Sequence, residues 1–234
     1  MQHDTITIVL ATSNNDKVRE LKPLLETLPA RCHVVSSAEL GIVQDIEETE
    51  QTLEGNAQLK AQSIFSLLSG KYPSLIAIGD DTGLEVEALD GAPGVYSARY
   101  APTAPDQKPT YQDNVRHLLA QMEGCSNRRA AFRCVIAMKG RISGTNGPIH
   151  FEEHTAGIIT GTIAHHPAGT GGFGYDPLFI PDGSSKSFAE MESEEKNLIS
   201  HRAKAIAATI SILERKLETA SRTTATPTEP SATA

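Results

Sequence analysis

Two adjacent carboxylates are the most distinctive chemical feature of the sequence. Asp80 and Asp81 follow an apolar run, residues 75–78, and are bounded by Gly79 and Gly83. This pattern predicts a buried strand that ends in a glycine-bounded turn carrying both carboxylates. Carboxylate oxygens suit Mg2+, which proteins commonly hold through one or two carboxylates while substrate phosphates supply further oxygens. The pair therefore suggests metal-assisted chemistry on a phosphate compound.

A second polar segment stands where a strand is predicted to lead into a helix. Residues 5–11 indicate a buried strand, and Val18 and Leu21 begin a helical apolar spacing. Between the two lie Thr12, Ser13, Asn14, Asn15, Asp16 and Lys17. The first N–H groups of a helix lack internal partners and favour anions, so this junction is a candidate phosphate site. Ordinary capping of the helix by Asn14 or Asn15 is the alternative.

A glycine-rich segment, residues 167–177, contains two aromatic residues and an aspartate. Four of its glycines fall between positions 169 and 174, interleaved with Phe173 and followed by Tyr175 and Asp176. Such glycine density predicts unusual backbone dihedral angles or a close approach to a ligand. An aromatic ring here could stack on a nucleobase, and loop amides or Asp176 could bind its edge. The alternative is a tight, well-packed turn.

Three cationic or titratable side chains, Lys196, His201 and Arg202, stand near the start of the last predicted helix. On one continuous helix Lys196 and His201 would point about 140° apart. Shared contact with a ligand therefore needs either a break near Ser200, which could cap a second helix, or long side chains that curl round to the ligand. A solvated helix face is the usual explanation for such charges.

Two further charged segments allow two interpretations each. The loop of residues 45–49 holds three carboxylates, which are simply solvated unless the fold brings Glu47 near Asp81. Arg99 follows a turn and stands beside an aromatic residue. It is either a phosphate or interface contact, or part of a surface salt bridge.

Composition limits the class of protein. The chain has 234 residues, a net charge of −8 and no basic run, which argues against a nucleic acid polymer as partner. Its three cysteines form no CxxC pair, so neither a disulfide framework nor a zinc site is predicted. Neither a secretory signal nor a membrane-spanning run is recognisable, and a cytoplasmic location is expected.

The chain is predicted to form one domain over residues 1–218. Thr, Ala, Ser and Pro dominate residues 219–234, a composition typical of a disordered tail. Within the domain we predict a helix capped by Thr52 that ends before Gly70, with Leu59 and Leu67 among its apolar positions. Other predictions are extended segments at 41–46 and 85–89, a helix at 112–122, strands at 33–35, 130–138 and 155–163, and a long last helix.

Six ordered motifs together indicate a family. They are residues 11–14 continuing through 17–20, the segment from Glu48 to Ala57, residues 80–84, residues 91–100, residues 171–177, and Glu195 and Lys196 followed by residues 200–202. In this order they resemble the inosine triphosphate pyrophosphatases, also described as dITP/XTP or non-canonical purine NTP pyrophosphatases. The resemblance covers nearly all of the chain before the tail. Any one motif would be weak, whereas six in order are highly specific.

The resemblance implies a fold, a reaction and partners. The fold is an elongated α/β structure with helices flanking a mixed central sheet and a nucleotide cleft between two lobes, in a protein that forms a homodimer. The reaction cleaves a nucleoside triphosphate between its α and β phosphorus atoms, giving the monophosphate and pyrophosphate. The implied substrates are dITP, ITP and XTP, which the enzyme removes from the nucleotide pool. The expected cofactor is Mg2+, for which Mn2+ is a substitute.

The resemblance also implies roles for single residues. Glu47 and Asp81 correspond to metal ligands, and Asp81 to the general base that activates water, with Asp80 supporting the metal shell. The triphosphate cradle corresponds to Thr12, Ser13, Asn14, Asn15, Asp16 and Lys17, and Thr82 is a further substrate contact. The base-binding segment corresponds to Phe173, Gly174, Tyr175 and Asp176, and the remaining nucleotide contacts to Lys196, His201 and Arg202.

The sequence departs from the family pattern near the acidic loop. Glu50 stands where the family has glycine, and Gly55 replaces an acidic or polar residue. Since an extra carboxylate near Glu47 could perturb metal binding, we hypothesise that Glu50 points to solvent. Two other functions remain open at this point: a nucleotide sensor without turnover, and a Maf-type pyrophosphatase of pyrimidine or modified nucleotides.

Overall fold

A computed structural model of the protein describes residues 5–29, 31–42 and 46–221. This part of the chain contains seven strands and five α-helices. The strands are β1 (Ile6–Leu10), β2 (Cys32–Ser36), β3 (Leu75–Val86), β4 (Pro93–Gly94), β5 (Arg129–Ile142), β6 (Ile149–Ile163) and β7 (Phe179–Pro181). The helices are α1 (Asn15–Leu25), α2 (Leu53–Leu68), α3 (Tyr111–Gln121), α4 (Ser193–Ile199) and α5 (His201–Ser221).

The strands form one mixed sheet in the order β2-β1-β3-β5-β6-β7, with the short β4 paired to β3. β1 pairs in parallel with both β2 and β3. β3, β5, β6 and β7 pair antiparallel in sequence. The predicted α/β class with a mixed central sheet is therefore confirmed.

Three long strands give the sheet its elongated form. β3, β5 and β6 contain 12, 14 and 15 residues. At roughly 3.4 Å per residue, β6 alone spans about 50 Å. Helices α1 and α5 pack on one face of this sheet, and α2 packs on the other, where Ala57 and Ala61 meet Val135 and Ala137.

Two apolar clusters share the face that α1 and α5 cover. Ile76 and Ile78 of β3 belong to the first cluster, with the buried residues of α1 and α5. Leu84 and Val86 belong to the second, together with Leu118 of α3 and Phe179 of β7. Because side chains alternate along a strand, Asp80 and Thr82 lie on this same face between the two clusters. The long strands thus link two lobes whose apolar cores are separated by polar residues.

The predicted turn at Asp80 and Asp81 is wrong, because both residues lie inside the uninterrupted strand β3. Gly79, which precedes them, is required for helix packing and does not form a turn. A Cβ atom at Gly79 would lie 2.1 Å from the carbonyl oxygen of Ala57, so the glycine allows α2 to pack closely on the strand. The extended segment predicted at 85–89 is wrong in part, since β3 ends at Val86 and Glu87–Leu89 form a 3₁₀ turn.

The predicted helices are present, with differences in detail. Thr52 caps α2 by accepting a hydrogen bond from Gly55 N (3.1 Å). Leu67, however, is 62% exposed, while Lys60 is buried among the alanines of α2. α3 begins at Tyr111 and ends at Gln121, and β6 begins at Ile149, earlier than predicted.

The end of the domain also differs from the prediction. α5 continues through Ser221, past the expected boundary at residue 218, and Ala220 is buried. The extended segment predicted at 41–46 is wrong at its start, because Gly41 has a φ of 75° and ends a short 3₁₀ helix, Ala38–Leu40. Residues 43–45 and the rest of the predicted tail lie outside the described residues. No helix in the described part of the chain is long and apolar enough to cross a membrane.

Candidate active site

The start of α1 supplies a cap and a cation. Asn14 caps the helix, since its Oδ1 atom accepts hydrogen bonds from Asp16 N (2.9 Å) and Lys17 N (3.3 Å). The capping interpretation is thus confirmed, and these two helix N–H groups already have a hydrogen-bond acceptor in Asn14. The Lys17 ammonium reaches the sheet, where it pairs with the Asp80 carboxylate and donates to the Asp80 carbonyl oxygen (3.2 Å).

Asp80 lies on the α1 and α5 face of β3 among cations. Besides Lys17, its carboxylate contacts Arg202 Nε at 3.4 Å and accepts from Cys134 Sγ at 2.9 Å. Burial works to raise the pKa of Asp80, but the charges of Lys17 and Arg202 outweigh it and hold the pKa well below its ordinary value. Asp80 therefore remains ionised and holds the surrounding cations in place. Its implied support of the metal shell stays a prediction.

Asp81 points to the opposite face, toward α2, because successive side chains of a strand alternate. Its Oδ1 atom lies 3.1 Å from Lys60 Nζ, and its buried Oδ2 atom has no hydrogen-bond partner. Lys60 also pairs with Glu48 at 2.6 Å. Burial raises the pKa of Asp81 above its ordinary value, with Lys60 opposing the rise and Glu48 adding to it. A buried carboxylate with a free oxygen and a raised pKa is suited to accept a proton.

The structure decides between the two interpretations of the last cationic motif. α4 ends at Ile199, and Ser200 Oγ accepts a hydrogen bond from Ala203 N (3.1 Å) at the start of α5. Lys196 and His201 thus belong to two helices separated by a break at Ser200. A Cβ atom at Gly157 of β6 would lie 2.0 Å from the His201 carbonyl oxygen, so this glycine allows the start of α5 to approach the sheet.

Glu20 joins the cations that this approach brings together. Arg202 contacts the Glu20 carboxylate and donates to Thr82 Oγ1 (3.1 Å). Lys196 donates to Glu20 and to Asp176, both at 2.7 Å. Burial works to raise the pKa of Glu20, but Arg202 and Lys196 outweigh it and lower the pKa. The result is a buried ionic network that links α1, β3, α4, α5 and the glycine-rich segment of residues 167–177, the glycine loop.

The glycine loop has the unusual backbone that its composition predicted. Gly169, Gly172 and Gly174 have φ values of 80°, 66° and 63°. The loop folds back so that Phe173 N donates to Asp176 Oδ2 (2.8 Å). Lys196 Nζ and Arg202 Cζ lie 5.2 and 5.4 Å from the centroid of the Phe173 ring. The Phe173 ring is thus presented beside the cationic network.

Two other predicted nucleotide contacts, Tyr175 of the base-binding segment and His201, are buried. Tyr175 is packed in the second apolar cluster, and its hydroxyl donates to the Ser97 carbonyl oxygen (2.9 Å). His201 stacks on Phe132 at a centroid distance of 4.7 Å, and its Nδ1 atom is buried without a partner. Burial, reinforced by Arg202 and Lys196, lowers the pKa of His201 well below its ordinary value. The imidazole is therefore neutral at pH 7, with a ring nitrogen available to a ligand.

These residues line two adjoining cavities. The outer cavity, of about 540 Å3, is lined by Thr12, Ser13, Asn14, Lys17, Glu47, Glu48, Lys60 and Arg99, among others. The deep cavity, of about 100 Å3, is lined by Asn14, Lys17, Glu48, Asp81, Thr82, Tyr111, Phe173, Gly174, Tyr175, Asp176, Lys196, His201 and Arg202, among others. Asn14, Lys17 and Glu48 line both. A ligand with a charged and a planar part could therefore extend from one cavity into the other.

Not every predicted residue reaches a cavity. Asn15 is exposed and lines neither, and Asp16 contacts Arg19 and the Tyr111 hydroxyl instead. Glu47 is exposed on the wall of the outer cavity, whereas Glu48 is the loop carboxylate that Lys60 connects to Asp81. Arg99 pairs with Glu48 at 2.5 Å.

The two departures from the family pattern accommodate each other. Glu50 is exposed and lines neither cavity, in agreement with the hypothesis that it points to solvent. A Cβ atom at Gly55 would lie 2.7 Å from Glu50 Cβ. The glycine at position 55 thus leaves the space that the Glu50 side chain occupies.

The donor set around Asp81 fits Mg2+. Within residues 5–29, 31–42 and 46–221 there is no cluster of three or more His, Cys, Asp or Glu side chains that could hold a metal alone. The free Oδ2 atom of Asp81 in the deep cavity, the carboxylate of Glu47 in the outer cavity and that of Glu48 in both are hard oxygen ligands. Mg2+ commonly needs no more than this from a protein, because phosphates and water complete its shell.

Comparison with known proteins identifies the family. The Ham1 family model matches residues 8–212. The chain belongs to the Ham1 family. It is 58% identical over 208 residues to a Chlorobaculum tepidum protein named dITP/XTP pyrophosphatase, covering 88% of this chain and 92% of that one. A Porphyromonas gingivalis protein of the same name is 47% identical over 202 residues, covering 86% and 93%. The structure of the Staphylococcus aureus Ham1 protein superimposes with a TM-score of 0.71 at 37% identity, covering 90% of this chain and 99% of that one.

Sequence reasoning missed several side chains at this Ham1 site. Glu20, Glu48, Lys60 and Tyr111 were given no role. A signal existed for Lys60, because a lysine at the apolar positions of a helix needs a buried partner. Glu20 and Glu48 lie in the motifs that carry the family resemblance, but they were given no role of their own. Nothing in the sequence distinguished Tyr111 from an ordinary first residue of a helix.

Proposed function

We propose that this Ham1 protein is a pyrophosphohydrolase that cleaves dITP, ITP and XTP to the monophosphate and pyrophosphate. The observation that carries the proposal is the continuity of the two cavities. One is lined by lysines and carboxylates beside Asp81, and the other by Phe173 and the neutral His201. A triphosphate fits the chemistry of the first and a purine that of the second. The names of the relatives support the same substrates.

Phosphate binding is assigned to the cations of the outer cavity. Lys17 and Lys60 approach β3 from α1 and α2, and both donate to the Asp80 carbonyl oxygen at 3.2 Å. Arg99 is partly exposed at the cavity wall. Carboxylates neutralise these three cations in the structure. A triphosphate would compete with Glu48 for Lys60 and Arg99, since phosphate oxygens are strong acceptors for both groups.

Hydrolysis is assigned to Asp81. Its carboxylate accepts a proton from the attacking water as the water oxygen forms a bond to the α phosphorus, while the bond between the α phosphorus and the bridging oxygen breaks and pyrophosphate leaves. Mg2+, or Mn2+ in its place, would be held by Asp81 and Glu47, with Glu48 adjacent. When bound, the metal supplies neutralisation of the phosphate charge and orientation of the triphosphate.

Base selection is assigned to buried donors of the deep cavity. Lys196 and Arg202 line it and are 5% and 3% exposed. Their N–H groups can donate to the 6-keto oxygen of hypoxanthine or xanthine. The 6-amino group of adenine would instead oppose a donor with a donor, which a buried polar site rejects strongly. We therefore expect ITP to be cleaved and ATP to be refused.

One assay tests reaction, metal and specificity together. The purified protein is incubated separately with dITP, XTP, ITP, GTP, ATP and UTP in Mg2+, in Mn2+ and in EDTA, and pyrophosphate and orthophosphate are measured. We expect metal-dependent release of pyrophosphate from the inosine and xanthosine nucleotides, with little from ATP or GTP. Release of orthophosphate alone, or preference for UTP, would contradict the proposal. If neither product is released but calorimetry shows tight nucleotide binding, the protein is a sensor.

Two broader features complete the proposal. We expect a homodimer, as the resemblance implies, and a cytoplasmic location, where nucleoside triphosphates are available to the enzyme. Both stay predictions.

A further inference from the structure

Tyr111 lies at the mouth of the deep cavity. It is 43% exposed, whereas the lining aromatic residues Tyr175, His201 and Phe132 are 4%, 2% and 6% exposed. Phe173 has intermediate exposure. This gradient from buried to exposed rings marks the Tyr111 side as the entrance through which a planar group would reach the pocket.

Tyr111 also bridges the two lobes. It is the first residue of α3, whose Val115 and Leu118 are anchored in the second apolar cluster. Its hydroxyl donates to Asp16 Oδ2 (3.2 Å) and accepts from Asn14 Nδ2 (3.3 Å), both at the start of α1. Burial raises the pKa of the Tyr111 phenol, so the hydroxyl keeps its proton at neutral pH and can donate. Tyr111 thus closes the cleft where the two cavities adjoin.

The Tyr111 and Phe173 rings face each other at a distance slightly shorter than the one needed to hold a nucleobase between them. The ring centroids are 5.9 Å apart with an interplanar angle of 41°. A flat base held between two rings needs roughly 7 Å, which is two van der Waals contacts of about 3.5 Å. An outward movement of Tyr111 by about 1 Å with a change of tilt would therefore admit a base, and the exposure of the ring leaves room for it.

We propose that Tyr111 closes the base pocket: its ring stacks on the purine opposite Phe173, while its hydroxyl ties α3 to the start of α1. The proposal rests on the proposed function, because it assumes that a nucleoside enters the deep cavity. It adds a residue from α3 that the recognised motifs do not contain. Tyr111 contributes mainly to binding of the base, and the phosphate site is independent of its ring.

Binding measurements on the full chain separate these roles. Calorimetry with inosine monophosphate and with inorganic pyrophosphate is carried out on the wild type, Tyr111→Ala, Tyr111→Leu and Tyr111→Phe. A control, Leu67→Ala, removes an exposed apolar side chain from α2. Loss of base stacking should weaken monophosphate binding about tenfold in Tyr111→Ala and less in Tyr111→Leu, with Tyr111→Phe and the control within about twofold of wild type. Pyrophosphate affinity should stay unchanged in all of them.

Two outcomes would overturn the proposal. One is wild-type affinity of Tyr111→Ala for the monophosphate. The other is an equal loss for monophosphate and pyrophosphate, which would show that Tyr111 only supports the start of α1. If Tyr111→Ala fails to fold, Tyr111→Leu gives the same comparison.

A panel of guanosine, adenosine and uridine monophosphates separates this proposal from the proposed function. If the wild type prefers uridine monophosphate, the proposed substrate class fails, and the effect of Tyr111→Ala is then measured on uridine monophosphate. If no monophosphate binds, the stacking proposal fails, whereas the proposed function is decided by the release of pyrophosphate from the triphosphates.

Discussion

Asp80 and Asp81 are adjacent residues of the same type, but their different surroundings give them different roles. They lie on opposite faces of β3, so Asp80 pairs with Lys17 and Arg202 while Asp81 pairs with Lys60. The charges of Lys17 and Arg202 outweigh burial and lower the pKa of Asp80. Burial, assisted by Glu48, outweighs Lys60 and Lys17 and leaves the pKa of Asp81 raised. Asp80 is thus an ionised anchor for cations, and Asp81 a group able to take up a proton.

His201 provides a prediction at this scale, on the pH dependence of stability. Its pKa is lowered in the folded protein from an ordinary value of 6.5, chiefly by burial. Below pH 6.5 the unfolded chain therefore binds a proton that the folded chain refuses. The contribution of neutral His201 to the free energy of unfolding is therefore fully present above pH 6.5. It falls as the pH is lowered, by up to about 1.4 kcal/mol per pH unit.

Urea unfolding of the wild type and His201→Phe between about pH 5 and 8 measures this effect. Phenylalanine keeps a ring against Phe132 but cannot titrate. We expect the variant to lose less stability than the wild type as the pH falls below 6.5, and parallel behaviour above it. Equal slopes at low pH would mean that His201 can be protonated in the folded state.

At the scale of elements, two glycines set the distances between helices and sheet. Gly79 lets α2 approach β3, which brings Lys60 to Asp81. Gly157 lets the start of α5 approach β6, which brings Arg202 to Asp80 and Thr82. Neither glycine is in a turn. Their missing side chains are what allow cations on helices to reach carboxylates on a strand.

Gly157→Ala tests this positioning. The added methyl group would meet the His201 carbonyl oxygen at 2.0 Å and Ala205 N at 2.6 Å, so α5 must move away from the sheet. We expect a loss of about 1–3 kcal/mol in unfolding free energy and about a 100-fold fall in kcat/KM for ITP.

Gly70→Ala is the matched control, because a Cβ atom there meets nothing within 4 Å. It should leave stability and activity close to wild type. If Gly157→Ala behaved like Gly70→Ala in both measurements, close packing of α5 would not position the site.

At the scale of the whole molecule, long strands hold two apolar cores apart and leave a polar cleft between them. The end of α5 stabilises the far side of the first lobe. Arg31 donates to Leu217 O (3.0 Å) and Ser221 Oγ (2.9 Å), and Thr145 N donates to Ala220 O (3.2 Å). The last turn of α5 is therefore part of the fold, and the composition-based boundary at residue 218 falls too early.

Two truncated proteins test this boundary. A protein ending at residue 218 loses the buried Ala220 and its hydrogen bonds. It should melt lower than the full chain, by about 2–4 °C for each kcal/mol lost. A protein ending at residue 221 should keep the melting temperature and the activity, as the composition of the removed segment predicts. Equal melting temperatures for the two truncated proteins would contradict the structural role of the last turn.

The sequence by itself determined the family, the α/β class, and most of the residues that meet at the site, because motifs, apolar periodicity and glycine density are local properties. It also predicted a helix cap at Asn14 or Asn15, of which the structure has Asn14, and the unusual backbone of the glycine loop. It misplaced Asp80 and Asp81, since a glycine required for helix packing has the same local signature as a turn.

Only the tertiary structure decided which charges neutralise each other. Arg202 and Asp80 are 122 residues apart in the chain, and Lys196 and Glu20 are 176 apart. Such pairs leave no local pattern. They form because alternation along β3 and close packing of α2 and α5 place ionised groups within a few ångströms in a buried space, where an unpaired charge is too costly to persist.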